Sequence, residues 1–323
     1  MRFNTKKKWA LAALALTACS WVQAQAPYPS QVIKLVVPFT PGSTSDVTAR
    51  AIAQRISGPL GQQVIVDNRP GANGAIGMQT VARAKPDGYT LIVGSVSSTV
   101  VPAILTKNVQ FDLFKDFVPV GTIANTPLVL TVANNSPFKS VADVVAAAKK
   151  APGTLNYGNS AGLYQLAMEA FNQQAGIDLL GVPFKGPADA TTELLGGRLN
   201  VNPDALGSAG RLLTSGTTRA LAVLGGKRTQ SLPDVPTMQE LGYKDFDFNG
   251  WIGILAPAGT PQPIVQRLQQ EIAKAVQSEE VRKVYAGLGM DAIALSPEAY
   301  RETMAHDFAA YKRIARAAKI EPQ

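Results

Sequence analysis

Short apolar runs alternate with amphipathic segments along most of the chain. The runs are typical of buried strands and occur at residues 32–39, 64–67, 90–93, 155–157, 180–183, 199–201 and 220–223. Between them the pattern predicts helices over residues 47–56, 75–84, 141–149, 163–174, 188–195 and 237–241. Such alternation predicts an α/β fold with largely parallel sheets.

Two segments share one layout. Residues 127–143 and 250–266 each read as an apolar strand, a turn with proline and then a helix. Paired segments of this kind let the chain leave one α/β lobe and later return to it. We therefore predict a first lobe of residues 25–126 plus 250–323 and a second lobe of residues 127–249.

The first 24 residues have the pattern of a bacterial secretory signal. A basic start is followed by an apolar run over residues 9–18 and then by small residues. The run is shorter than the roughly 20 residues that span a bilayer. We predict cleavage near Ala24 and release into the periplasm. The alternative is a lipid anchor on Cys19, whose preceding residues resemble a lipobox.

Composition excludes much enzyme chemistry. The 323 residues are 46% hydrophobic and include one Cys and one His, Cys19 and His306. No Cys/His zinc site or disulfide is therefore possible, and a Ser-His-Asp triad would need His306. That residue lies two positions from Met304 and Phe308, on the polar face of a predicted C-terminal helix. We expect a surface histidine and neither a metal nor a cofactor.

The net charge of +8 also changes once the signal is set aside. Four of the 31 basic residues lie in the signal, which leaves 27 against 23 acidic residues, or +4. No long Lys/Arg run occurs, so nucleic acid is not an expected partner. The glycines Gly71, Gly74 and Gly77 do not form a phosphate-binding fingerprint.

Candidate chemistry lies at four strand-to-helix junctions rich in Gly, Ser and Thr. They are residues 39–46, 94–99, 158–162 and 184–189. Ligand crevices of open α/β sheets lie beyond the carboxyl ends of strands, where helix N-termini present free N–H groups that suit carboxylates. Ordinary Ser/Thr helix caps are the alternative for each loop. Four such junctions split between two lobes predict a shared cleft between the lobes.

Three residues of these regions have individual interpretations. Gly42 allows the backbone to approach a ligand, and Asp46 is placed to cap the following helix. Asp204 follows the apolar run at residues 199–201 and is near enough in sequence to reach the same cleft. A turn-capping role for Asp204 is an equal alternative.

The mature chain resembles the Bug family of extracytoplasmic solute-binding proteins, the TctC-like receptors of tripartite tricarboxylate transporters. The resemblance rests on stretches in family order and spacing, among them VVPFTPGSTSDVTAR, VDNRPGANGAIG, LNYGNSAG, VPFKGPADATTELLGGRLN and GWIGILAPAGTP. It implies a two-lobe periplasmic-binding-protein type II fold with a hinge. It also implies capture of a small aliphatic or aromatic mono-, di- or tricarboxylate by a monomer that works with membrane components of such a transporter.

Family motif positions, together with Phe39 and Asn159 of the same loops, give the candidate ligand-binding residues. They are Phe39, Thr40, Gly42, Ser43, Thr44, Asp46, Ser95, Ser97, Asn159, Ser160, Ala161 and Asp204. The resemblance implies no catalytic residue.

The chain departs from the family pattern at three places. Ser43 replaces a second Gly, Leu163 and Tyr164 enter early after the small residues of the second lobe, and Asn202-Pro203 precede Asp204. Tyr164 motivates the hypothesis that the site accepts an aromatic or larger acid.

Two other functions remain as alternatives. One is an exported hydrolase, with His306 or Lys185 as the base, the latter beside Ser160. The other is a sensor subunit that presents a bound carboxylate to a signalling partner.

Overall fold

The computed structural model describes residues 28–322, which contain ten strands and ten α-helices. The strands are β1 (Ile33–Val37), β2 (Val64–Asn68), β3 (Thr90–Ser95), β4 (Phe117–Ala124), β5 (Leu128–Ala133), β6 (Asn156–Asn159), β7 (Leu180–Pro183), β8 (Asn202–Ala205), β9 (Thr218–Val223) and β10 (Ile252–Pro257). The helices are α1 (Thr44–Leu60), α2 (Ala75–Ala82), α3 (Val100–Leu105), α4 (Val141–Lys150), α5 (Gly162–Ala175), α6 (Pro187–Leu195), α7 (Leu206–Thr214), α8 (Gln262–Gln277), α9 (Glu279–Gly287) and α10 (Pro297–Ala317).

The first lobe is built on a five-stranded sheet in the order β2-β1-β3-β10-β4. In β1, Ile33, Leu35 and Val37 pack with α1, α8 and α9, whereas Val36 packs with α2, α3 and α10. Both faces are thus covered by helices, which explains the nearly continuous apolar sequence of this strand.

The second lobe combines a three-stranded sheet, β8-β5-β9, with the parallel pair β6-β7. A parallel bridge between Tyr157 and Val201 joins them. The prediction of largely parallel sheets is correct for β1 to β3 and for β6-β7, but wrong elsewhere. Strand β10 is antiparallel to β3 and β4, and β5 is antiparallel to β8 and β9. Both of these strands begin where the chain crosses between the lobes.

Two further local predictions are wrong. The strand predicted at residues 199–201 begins at Asn202, and only Val201 forms a bridge within the predicted run. The helix predicted at residues 237–241 is a turn, because Thr237 pairs with Val223. Gly242 follows with a φ of 97°, a left-handed conformation that ends the segment after a single hydrogen-bonded turn.

Two crossings connect the lobes, and they are hydrogen-bonded to each other. The amide of Thr126 donates to the carbonyl of Gly250 (3.1 Å), and the amide of Gly250 donates to the carbonyl of Thr126 (3.0 Å). Helix α10 packs against β4 and α3 of the first lobe and against α5 of the second. One apolar cluster is therefore continuous across the crossings. The lobe boundaries at 126/127 and 249/250 remain a prediction.

Helix α10 begins as its sequence predicts. Ser296 caps it by accepting a hydrogen bond from the amide of Ala299 (3.2 Å), and Pro297 occupies the first turn. The side chain of His306 is 68% exposed, which confirms the prediction of a surface histidine. None of the described helices has the length and apolarity of a membrane span. The predicted signal at residues 1–24, with Cys19, lies outside the described residues.

Candidate functional site

The loop after β1, residues 39–46, is closed by hydrogen bonds of its own. Ser43 caps α1 by accepting from the amide of Asp46 (3.3 Å), while the amide of Gly42 donates to Oδ2 of Asp46 (2.9 Å). Gly42 has a φ of 82°, a conformation that favours glycine. Asn68 ties the loop to β2 by donating from Nδ2 to Oδ1 of Asp46 (2.9 Å) and to the carbonyl of Phe39 (3.0 Å).

Asp46 is the centre of this loop and is 3% exposed. Arg50 donates from Nε to its Oδ2 (3.0 Å) and lies 3.0 Å from its Oδ1 through Nη2. Burial alone would raise the pKa of Asp46, but hydrogen bonds from Arg50, Gly42 and Asn68 hold it below its usual value. Both carboxylate oxygens are thus occupied within the protein, so Asp46 shapes the loop that carries Thr40, Ser43 and Thr44.

The loop after β3 reaches the same edge of the sheet, because β1 and β3 are parallel. The hydroxyl of Ser98 accepts from the amide of Ser95 (3.0 Å), and Thr99 donates from Oγ1 to the carbonyl of Ser95 (2.7 Å). Ser97 is partly exposed in the same turn. A Cβ atom on Gly74 would lie 2.8 Å from Cβ of Ser98, so the loop after β2 also packs here.

The second lobe brings residues 159–162 to the edge opposite. Asn159 ends β6, and its carbonyl accepts from the amide of Phe184 (2.9 Å), which joins the third and fourth junctions. A Cβ atom on Gly162 would lie 2.7 Å from Cγ1 of Val101, which places the start of α5 against α3. The structure therefore brings Ser160 and Ala161 next to the helix that follows the Ser95–Ser97 loop.

The hydroxyl of Ser160 is buried and has no hydrogen-bond partner among the described residues. The N-cap of α5 is Ala161, which has no side-chain oxygen to satisfy the first amides of the helix. A buried hydroxyl without a partner carries a desolvation cost of about 1–3 kcal/mol. The Ser160 hydroxyl is therefore available to hydrogen-bond a ligand at the start of α5.

Asp204 lies at the end of β8 and is 2% exposed. Oδ1 accepts from the amide of Ala205 (2.8 Å) and from the hydroxyl of Ser208 (2.6 Å). Burial raises the pKa of Asp204 to about 6, although hydrogen bonds from Ser208, Ala205 and Thr191 oppose the shift. Asp204 therefore changes its charge near neutral pH, unlike Asp46.

Tyr164 is turned into the core and is 7% exposed, and its hydroxyl accepts from the amide of Ala205 (3.2 Å). Its ring offers little surface for stacking on an aromatic acid, so this placement does not support the hypothesis drawn from Tyr164. Lys185 is exposed. Neither Lys185 nor His306 hydrogen-bonds Ser160, so the described residues show no paired base for a serine nucleophile.

Three helices of the second lobe begin at this edge without a side-chain cap. Their N-cap residues are Ala161 for α5, Gly186 for α6 and Ala205 for α7. Serine caps four other described helices, at Ser43, Ser140, Ser278 and Ser296, whereas α2, α3 and α8 also lack a side-chain cap. Uncapped N-termini present amides with partial positive charge, which favour an anionic group.

Two residues of this region were not predicted from the sequence. Asn202 is almost fully buried, and its Oδ1 faces Gly158 and lacks a hydrogen-bond partner among the described residues. Asn68 holds both Asp46 and Phe39. The departure from the family pattern at Asn202-Pro203 was a signal for Asn202. Nothing in the local sequence of Asn68 predicts its contact with Asp46, which lies 22 residues away. Across residues 28–322, no group of three or more His, Cys, Asp or Glu side chains is placed to hold a metal ion.

Two lobes joined by paired crossings, with polar loops at facing edges, define the class of two-lobe periplasmic binding proteins. The chain superposes on Rpa4515 of Rhodopseudomonas palustris with adipate (TM-score 0.78, 34% identity, 92% of this chain and 100% of that one). It also superposes on MatC (Rpa3494) of the same organism with bound malate (TM-score 0.73, 28% identity, 89% and 99%).

Sequence comparison gives the family. The model of the tripartite tricarboxylate transporter family receptor, TctC, matches residues 48–320. Protein BugT of Bordetella pertussis is 33% identical over 292 residues, which cover 90% of each chain. The chain therefore belongs to the TctC family of solute-binding proteins, as the resemblance in its sequence motifs implied.

Proposed function

We propose that this protein is an exported binding protein that captures a small organic carboxylate between its lobes. The observation that carries the proposal is the edge formed by Ser160 and the start of α5, where a buried hydroxyl lacks a partner among the described residues and the first amides have no side-chain cap. A carboxylate supplies the acceptor oxygens and the negative charge that these groups favour. In this proposal the second lobe consists of residues 127–249, and the first lobe consists of residues 25–126 and 250–323.

The candidate residues divide by role. In the first lobe, Thr40, Ser43, Thr44, Ser95 and Ser97 supply hydroxyls and amides from loops that are already fixed, with Phe39, Gly42 and Asp46 setting the shape of the first loop. In the second lobe, Asn159, Ser160 and Ala161 receive the carboxylate, and Asp204 lies beside them as a group that repels an anion when ionised. The first lobe positions the ligand and the second closes on it.

The ligand class follows from the site and from the relatives. Rpa4515 and MatC are solved with adipate and with malate, both dicarboxylates. The ring of Tyr164 is buried and does not serve as an aromatic platform for the ligand. We infer that an aliphatic dicarboxylate is favoured among the acids that the family resemblance implies. Delivery to membrane components of a tripartite tricarboxylate transporter from the periplasm completes the proposed function.

A thermal-shift screen of carboxylates on residues 25–323 tests the proposal. Malate, adipate, succinate, citrate and terephthalate are compared with uncharged diols of the same lengths. A ligand at 100 times its Kd stabilises the protein by about 2.7 kcal/mol. We expect a dicarboxylate to raise the melting temperature of the wild type and of Ser215→Ala, an exposed serine remote from the edge, but less that of Ser160→Ala. Stabilisation by the diols alone would contradict carboxylate capture.

A further inference from the structure

The C-terminal half of α10 carries a concentration of positive charge. Lys312, Arg313 and Arg316 of the helix, with Lys319 two residues after its end, are here called the basic face. All four are exposed, and residues 308–320 contain no Asp or Glu. Cations near a helix C-terminus interact favourably with the helix dipole, so their presence alone does not define a binding surface.

The basic face is free of internal ion pairs. No salt bridge connects any of its four cations to a described acid, whereas Arg50 and Arg267, which also lie on helices, are both paired. The neighbouring acid on the helix, Asp307, is buried and accepts a hydrogen bond from Nε1 of Trp251 (2.8 Å). The charge of the basic face is therefore available to a second molecule.

A shaped groove accompanies the charge. A depression of about 670 Å³ is lined by Phe308, Ala309 and Ala317 together with Lys312, Arg313 and Arg316. Nζ of Lys312 lies 5.4 Å from the centre of the Phe308 ring, and that ring packs edge-on against Phe114 at 5.5 Å. The Phe308 ring is thus held between Lys312 and Phe114, and the guanidinium groups of the lining arginines can form paired hydrogen bonds with carboxylates.

The chemistry of this surface favours a protein over a lipid bilayer. The apolar side of α10, which includes Met304 and Tyr311, is buried in the core. Exposed large hydrophobic side chains, such as Ile76 and Leu180, lie on other elements. A helix that inserts into a membrane surface needs an exposed apolar face beside its cations. An acidic peptide segment needs only the cations and the shallow groove.

We propose that the basic face of α10 is a docking surface for a protein segment rich in Asp and Glu. Helix α10 packs on α3 and on α5, which begin at the Ser95–Ser97 loop and at Ser160 respectively. A partner docked here rests on a helix that contacts both lobes. The proposal does not depend on which ligand the cleft binds.

Charge reversal with a matched control tests this surface in the full mature chain. Arg313→Glu/Arg316→Glu removes two cations of the groove, and Lys149→Glu/Lys150→Glu makes the same charge change at the exposed end of α4. The probe is a fluorescent peptide of alternating Asp and Glu, measured by anisotropy at low salt. We expect about a tenfold loss of peptide affinity in the α10 variant, equivalent to two ion pairs, and less than about twofold in the control.

Vesicles of phosphatidylglycerol form the second arm, measured by co-sedimentation, and circular dichroism checks that both variants fold. We expect the wild type and both variants to sediment with the vesicles to the same small extent. Equal weakening of peptide binding by both reversals would overturn the proposal, because binding would then depend on net charge alone. Sedimentation that is lost only in the α10 variant would overturn it in favour of a membrane surface.

Discussion

Two buried aspartates at the candidate site have opposite environments. Asp46 in the first lobe is held by Arg50, Asn68 and a backbone amide, and its pKa lies below the usual value. Asp204 in the second lobe has only neutral donors, and burial raises its pKa to about 6. Both are almost fully buried. At Asp46 the cation and two further donors therefore outweigh the effect of burial, whereas at Asp204 the neutral donors do not.

The difference extends to the loops around them. The first-lobe loop is closed by hydrogen bonds of its own through Asp46, Ser43 and Asn68, whereas the second lobe keeps a buried serine hydroxyl and a buried asparagine oxygen without partners among the described residues. A prebuilt loop positions a ligand with little loss of entropy, and unsatisfied groups gain most when the ligand arrives. We therefore expect the first lobe to supply a preformed loop and the second lobe to gain most of the stabilisation when a ligand binds.

The largest effect is expected from Asp46→Ala. Loss of the carboxylate removes the hydrogen-bond acceptor of the Gly42 amide and of the Asn68 side chain. Arg50 is half exposed, so water can solvate its guanidinium group instead. We expect a loss of about 2–3 kcal/mol in the free energy of unfolding, measured by urea denaturation. The control Asp143→Ala removes an exposed aspartate of a capping box and should cost clearly less. Equal losses would contradict the special role of Asp46.

Asp204→Asn should act on ligand binding. Below pH 6 the Asp204 carboxyl is protonated, and above it the negative charge repels a carboxylate. We expect the variant to bind a dicarboxylate about tenfold more tightly than wild type at pH 7.5, and equally at pH 5, by calorimetry. An ammonium-bearing ligand would give the opposite result, with weaker binding by the variant at pH 7.5.

The same variant has a stability signature without ligand. Because the folded pKa of Asp204 is raised, the native state binds its proton more tightly than the unfolded state does. The associated stability is present below about pH 4 and is lost as pH rises through about 6. Asp204→Asn should flatten this part of the stability curve, and a curve of unchanged slope would contradict the raised pKa.

The two aspartates also show which features of the site can be predicted from the sequence and which cannot. Apolar alternation predicted most strands and helices, because local periodicity reflects which faces are buried. It failed at residues 237–241, where Thr237 pairs with Val223 instead of starting a helix. It could place Asp46 and Asp204 near the cleft through their motifs. It could not separate their ionisation, which depends on Asn68 and on neighbours of Asp204 brought together only by folding.

Two serines give a smaller and sharper test of the division between lobes. Ser43→Ala removes the cap of α1 and should lower stability by about 1 kcal/mol. Ser160→Ala removes a hydroxyl that lacks a partner, so the unliganded protein should lose no stability, while carboxylate affinity falls about fivefold. Urea denaturation and calorimetry measure the two quantities. A stability loss in Ser160→Ala as large as in Ser43→Ala would remove the distinction.

The smallest effect is spectroscopic and concerns the crossing between the lobes. Trp251 is the only tryptophan in residues 25–323 and is 4% exposed. Its carbonyl accepts from the amide of Val96 in the loop after β3 (3.3 Å), and its ring packs edge-on against Tyr300. Closure of the lobes on a carboxylate should therefore alter its emission, measured by titration at pH 7.5.

Asp307 provides the control for this measurement. Burial raises the pKa of Asp307 to about 6, although its hydrogen bond from Trp251 opposes the shift, so the emission should also change with pH near that value. Asp307→Asn keeps an acceptor for Trp251 and should abolish the pH dependence while the response to ligand remains. If a carboxylate raises the melting temperature but leaves the emission unchanged, binding occurs without movement at the crossings, and the hinge between the lobes lies elsewhere.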